Sequence, residues 1–176
     1  MSKPEVKKGR ELEIRLAATD DSAAIAEVLR EAFMPFREHY TDEAFDVVTA
    51  SPDVITSRFV EGPIWVAELD GKVVGTVSLT SEPEGLYIRS MAVRPGAQGL
   101  GIGHKLLDAL NDHVSETEIE RIFLYTTYFV PGAKELYEKH GFKWVRDTDA
   151  EEWHGTPGLE MDKKLETGTK RNVVGS

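Results

Sequence analysis

Apolar residues change their spacing several times along the chain, and each change marks an element. Leu12, Ile14 and Leu16 alternate with polar neighbours, the period of a half-buried strand. Thr19 or Asp20 can then cap a helix that carries Ile25, Leu29, Ala32 and Phe33 on one face. Two shorter helical stretches follow, one from Thr41 with Ala44, Phe45 and Val48, the other after Ser51-Pro52 with Ile55 and Phe59. The period then falls to two: Ile64 to Leu69, the turn Asp70-Gly71 and Val73 to Thr80 predict a β-hairpin. Leu86 to Val93 predicts a further strand. Ile102, Leu106, Leu107, Leu110 and Val114 recur at helical spacing, and Ile119 to Thr126 is rich in strand formers. A helix from about Pro131 to His140 stops at Gly141, before extended segments at Phe142 to Val145 and Leu159 to Leu165.

This alternation predicts a mixed α/β layer fold. A chain of 176 residues fits one domain, which at this size buries roughly two thirds of its unfolded surface. The periodic part runs over 12–165, whereas 1–11 and 166–176 are polar, lack an apolar face and are expected to be flexible ends. No apolar run approaches the roughly 20 residues that span a bilayer. The start Met1-Ser2-Lys3-Pro4-Glu5 lacks the apolar stretch of a signal peptide, so a cytoplasmic location is expected.

Composition removes several chemistries. With no cysteine there is no disulfide, thiolate metal site or thiol nucleophile. The five histidines, His39, His104, His113, His140 and His154, are scattered without ligand spacing, so no metal is expected. A net charge of -10, from 31 acidic and 21 basic residues, disfavours nucleic acid and anionic membranes and mildly favours a cationic partner.

The segment Gln98-Gly99-Leu100-Gly101-Ile102-Gly103 joins a strand to a helix with glycines at alternate places. The unpaired N–H groups of a helix's first turn and the positive end of its dipole attract phosphate, and glycine lets the backbone approach it. A Walker loop is disfavoured because Gly96 to Gly101 is followed by Ile102 instead of lysine. A dinucleotide fingerprint starting at Gly99 fails at His104, where it needs glycine. A simple tight connection between strand and helix remains the alternative on spacing alone.

The run Val93-Arg94-Pro95-Gly96-Ala97-Gln98-Gly99-Leu100-Gly101-Ile102-Gly103-His104-Lys105-Leu106-Leu107 resembles the cofactor motif of the GNAT superfamily of N-acetyltransferases. A second family motif resembles Ala133-Lys134-Glu135-Leu136-Tyr137-Glu138-Lys139-His140-Gly141-Phe142, at the expected distance downstream. The resemblance implies a mixed sheet of about six or seven strands flanked by helices, with a splayed pair of parallel strands as the cofactor cleft. It implies acetyl-CoA as donor, backbone contacts from Met91, Ala92 and Val93 to the pantetheine and acetyl carbonyl, and pyrophosphate contacts from Gln98, Gly99, Leu100, Gly101, Ile102, Gly103 and His104. An N–H aimed at the acetyl carbonyl would also stabilise the oxyanion that develops on attack.

By the same resemblance Tyr137 is the candidate acid for the departing thiolate and a cofactor contact. An ordinary phenol, with a pKa of about 10, can protonate a thiolate whose conjugate acid lies near 8.5. Its bland alternative is a tyrosine packed on the sheet. Two departures from the family pattern are visible. The strand that often carries a glutamate has only Tyr87, Arg89 and Ser90 as polar residues, and the position of a frequent cofactor-holding asparagine is Val130. The base is therefore open among Glu82, Glu84, a water relay or another segment.

The expected reaction is direct attack of a primary amine in a ternary complex, the acceptor being a small amine, an amino acid or a peptide N-terminus. A homodimer is compatible with it. The alternative is a non-catalytic module that binds or senses acyl-CoA. The richest acceptor-side segments are Phe33 to Tyr40 and Glu151 to His154, each equally readable as a packing anchor or a solvated turn.

Overall fold

In a computed structural model the described residues are 10–166. The expected flexible ends lie outside them, apart from Arg10, Glu11 and Glu166. Seven strands form one mixed sheet in the order β1-β2-β3-β4-β5-β7-β6. These are β1 Leu12–Leu16, β2 Ile64–Leu69, β3 Lys72–Glu82, β4 Gly85–Val93, β5 Arg121–Thr126, β6 Lys143–Thr148 and β7 Gly158–Lys164. The helices are α1 Ser22–Phe33, α2 Asp42–Val48, α3 Pro52–Arg58, α4 Ile102–Ser115 and α5 Ala133–Lys139. This is the α/β mixed sheet that the sequence predicts, with β4 and β5 as its parallel pair.

The period of two sorts side chains to opposite faces. Ile64 and Val66 of β2 pack with Ile25, Leu29 and Ile55 of α1 and α3. Their neighbours Trp65 and Ala67 pack on the other face with Leu106, Leu107 and Leu110 of α4. A sheet buried on both sides explains the apolar runs at 64–67 and 73–79. A smaller cluster of Tyr40, Ala44 and Phe45 closes one end, against Phe33, Phe36, Phe129 and Trp153.

Element ends differ from the periodicity for identifiable reasons. Thr19–Asp21 forms a 3-10 turn, and α1 begins only at Ser22. Asp21 stands at the N-cap position expected of Thr19 or Asp20, but its carboxylate turns back to Arg15 at 2.8 Å and to the N–H of Ala18 and makes no cap bond to α1. The helix expected from Pro131 starts at Ala133, because Gly132 sits at φ +77° and cannot be helical. The last two strands are not laid down in order: β7 inserts between β5 and β6.

The β3–β4 turn ends at Gly85, whose φ of +138° is a conformation essentially reserved for glycine. A Cβ there would drive into the carbonyl oxygen of Arg121 at the start of β5. Gly85→Ala should therefore cost about 3 kcal/mol or more and lower Tm by roughly 6–12 °C. Gly71→Ala, at φ +80° with open space around it, should cost only about 1–2 kcal/mol. Thermal denaturation of the two variants checks the difference.

Candidate active site

The parallel pairing of β4 with β5 covers only Leu86 with Ile122, Tyr87 with Phe123 and Ile88 with Leu124. Beyond Ile88 the strands part. On its other side β4 carries a bulge: Thr76 faces Ala92 and Ser78 faces Arg89, so three steps along β4 match two along β3. Ser90 takes up the extra residue at φ +56°. A bulge increases local twist and bends its strand, which turns the end of β4 away from β5. The result is a cleft of about 160 Å³ whose walls include Arg89, Ser90 and Met91 from β4 and Tyr125 and Thr126 from β5. Among the described residues no strand pairs with the β4 backbone from Arg89 to Val93 on its β5 side, so polar groups that a sheet normally satisfies are left to the opening.

At the end of β4 the chain makes a 3-10 turn at Pro95–Ala97 and enters α4 through Gly101. The side-chain amide of Gln98 donates to the carbonyl of Val93 at 3.3 Å and ties the turn to the strand. Gly99 and Gly101 have φ +82° and +74°, and a Cβ on either would meet nothing within 4 Å. Their need for glycine is thus conformational, and the space above them is open to a ligand. Gly103 has a different reason: its missing side chain lets α4 approach Leu136 and Met91, at 3.2 and 3.3 Å from the would-be Cβ. Lys105 makes the first helical bond, to Gly101, leaving the N–H groups of Ile102, Gly103 and His104 without intrahelical partners. Leu100 is exposed, whereas the Ile102 side chain is buried, so Ile102 can act only through its backbone. His104 stacks on His140, with Nδ1 and Nε2 2.9 Å apart.

Tyr137 is held by the way α5 ends. Gly141 N–H donates to Glu138 O and Phe142 N–H to Tyr137 O, a Schellman motif with Gly141 in the left-handed region. Its customary apolar contact is here Phe142 edge-on to Tyr137, ring centres 5.9 Å apart. Tyr137 is buried and lines the cleft, and burial raises its phenol pKa well above the ordinary value. With its pKa raised the hydroxyl stays protonated and is a donor.

The structure does not bring Glu82 and Glu84 to the cleft wall. Both are exposed at the β3–β4 turn, beyond the closed end of the parallel pair. They differ in one respect. Glu82 lies close enough to raise the pKa of the cleft-lining phenol of Tyr87, behind the larger effect of burial and against Arg89 and Arg58. Ala92 and Val93 pair with Thr76 and Gly75 of β3, and Val130 lines the cleft with an apolar side chain.

The sequence matches the acetyltransferase (GNAT) family over residues 24–142, which include the bulged strand, the glycine turn and Tyr137. The chain belongs to that family. It is an acyltransferase. The uncharacterised N-acetyltransferase YhfO of Bacillus subtilis is 30% identical over 140 residues, covering 75% of this chain and 90% of YhfO. The camello protein of Xenopus tropicalis is 37% identical over 85 residues, and that match spans only 39% of its length. Among solved structures, the PaiA N-acetyltransferase of Thermoplasma acidophilum in complex with coenzyme A superimposes with a TM-score of 0.74 at 22% identity. It covers 88% of this chain and 99% of PaiA, which establishes the shared fold.

This acetyltransferase has cleft residues that sequence reasoning missed. Arg58 is buried at the end of α3, three residues after buried Ile55. A charge on the apolar face of a short helix was the available signal. Tyr125 and Thr156 gave none, since each reaches the cleft through the pairing of β5, β7 and β6. Phe33, Tyr40 and Trp153, from the two segments read as anchor or rim, do line the cleft.

The open space above Gly101 generates a test. Gly101→Glu should reduce coenzyme A affinity at least ~100-fold by placing a carboxylate where phosphate would sit. Gly101→Asn, which tolerates the left-handed backbone, should stay within ~10-fold of wild type. Calorimetric titration with coenzyme A separates charge from backbone strain.

Proposed function

We propose that this chain moves an acetyl group from acetyl-CoA to a primary amine by direct attack in a ternary complex. The observation that carries the proposal is the continuity of two sets of free backbone groups. Those released along β4 by the bulge lead directly to the N–H groups of Ile102, Gly103 and His104 at the start of α4. An extended ligand with amides at one end and phosphates at the other matches both sets, and coenzyme A is such a ligand.

In this reading Gln98 to His104 hold the pyrophosphate through backbone N–H groups and the helix dipole, with Gly99 and Gly101 leaving room for it. Met91, Ala92 and Val93 take the pantetheine amides and bring an N–H to the acetyl oxygen, where negative charge develops during attack. The thioester supplies the activated acyl group. Tyr137 is the acid that protonates the sulfur. Its raised pKa does not forbid this, because the same dry wall raises the proton affinity of a departing thiolate beside it. The ammonium proton leaves to water, since no carboxylate lines the cleft among the described residues. Glu82 and Glu84, both exposed at the β3–β4 turn, take no direct part in this step.

Thiol release from acetyl-CoA across a panel of small amines, amino acids and short peptides tests the function. Coenzyme A binding with no turnover on any amine would leave only a binding module. Tyr137→Phe should lower kcat by ~100-fold while coenzyme A affinity changes by less than ~3-fold, since the ring packing on Phe142 persists. Equal kcat in the two proteins would remove Tyr137 as the acid.

A further inference from the structure

The cleft carries an imbalance of charge that transfer of an acetyl group does not require. The chain has 31 acidic and 21 basic residues, yet Arg58 and Arg89 are the only charged side chains among the described residues that line the cleft. The cationic acceptor favoured by net charge therefore meets two like charges. Arg58 is 9% exposed, and its Nη1 donates to Ser90 Oγ at 3.0 Å. Arg89 is ion-paired with Glu61, while its Nε is buried without a partner among the described residues. Glu61 is also the carboxylate that acts on Arg58, so two guanidinium groups share one acid. Burial, and next the charge of Arg89, depress the pKa of Arg58, as expected for a cation awaiting a counter-ion. A buried charge so weakly compensated is costly, and binding an anion relieves the cost.

We infer that Arg58 and Arg89 hold a carboxylate of the acceptor and that the acceptor is a free α-amino acid. The inference rests on the acetyl-transfer reading above and deepens it. Position supports the class. Arg58 reaches Ser90, the bulge residue beside Met91, where the reacting acetyl group lies in that reading. In an α-amino acid one carbon separates amine from carboxylate, so an amine attacking at the bulge carries its carboxylate within reach of the guanidinium groups. A peptide N-terminus presents a neutral amide there, and a simple alkylamine presents nothing. Phe33, Val47, Val48 and Trp153 complete the wall without a charged partner, which suits an uncharged side chain.

The test compares uncharged L-amino acids, leucine and phenylalanine among them, each with its own carboxamide. The amide has the less basic amine and is more often neutral, so basicity alone favours the amide. The expected result for wild type is a kcat/KM at least ~30-fold higher for the acid, with the same order of binding by calorimetry to protein saturated with coenzyme A. Arg58→Lys keeps the charge but loses the planar fork, and Arg89→Gln removes a charge. Each should bring the acid-to-amide ratio down by ~10-fold, mainly through KM, with Tm and coenzyme A affinity reporting that the protein is folded. If no acid in the panel binds better than its amide, or if the variants lose acid and amide equally, the inference is overturned. Preferential binding of acids without turnover of any amine would instead uphold the carboxylate site and sink the proposed direct transfer to an amine.

Discussion

The site depends on where the parallel pairing of β4 and β5 stops. Three residue pairs hold the strands together, and after Ile88 and Leu124 the ladder ends inside the sheet instead of at its edge. Unpaired backbone groups in a protein interior are expensive, so such a gap persists only when the neighbours on both sides are fixed. β3 fixes β4 by antiparallel pairing from Glu82 to Gly75, and β7 fixes β5 along its whole length from Arg121 to Thr126. Neither strand can move to close the gap without breaking a longer ladder. The bulge at Ser90 supplies the divergence, and Gly85 pins the opposite end by letting β4 come against Arg121.

The two helical layers place chemistry at the two ends of this gap. α4 packs Ile102, Leu106 and Leu110 on the face of the sheet that carries Val74, Val77 and Ile88, and this orients its N-terminus at the end of β4. α5 is short, with Ala133, Leu136 and Tyr137 packed on the main core. It is further anchored by its Schellman ending and by Leu136 against Gly103. The close approach at Gly103 packs the start of α4 against the helix of Tyr137, so the two family motifs are in direct contact. The opposite layer, α1 to α3, contributes Arg58 and the aromatic wall, and its own packing with Val66 and Ala92 sets their distance from β4.

Much of this was legible in the chain because the signals are local. Strand and helix periods, the Asp70-Gly71 hairpin and the glycine turn each depend on a few neighbouring residues. The bulge was not legible, because its left-handed residue is Ser90 and no glycine announces it. The insertion of β7 between β5 and β6 was hidden for a different reason: β6 lies at the sheet edge one strand away from β5, and nothing local announces that a later segment fills the place between them. Arg58 combines both difficulties. Its helical spacing with Ile55 pointed inward, but the partner that explains its burial, Ser90, lies 32 residues away across the sheet. Proton removal stayed open for want of an acid on β4, and the exposed positions of Glu82 and Glu84 show why charge near a strand in sequence need not be charge near its cleft.

Net charge and local charge answer different questions here. The acidic excess is spread over exposed positions, where solvent and salt screen it within about 10 Å. The guanidinium groups of Arg58 and Arg89 sit behind low-dielectric walls, where screening is weak and their field is concentrated on the small volume between them and the end of β4. Whatever enters that volume responds to the two arginines, offset in part by Glu61, more than to the acids farther away. The overall charge of -10 therefore sets the solubility of the protein and its long-range encounters, while the electrostatics of the cleft have the opposite sign.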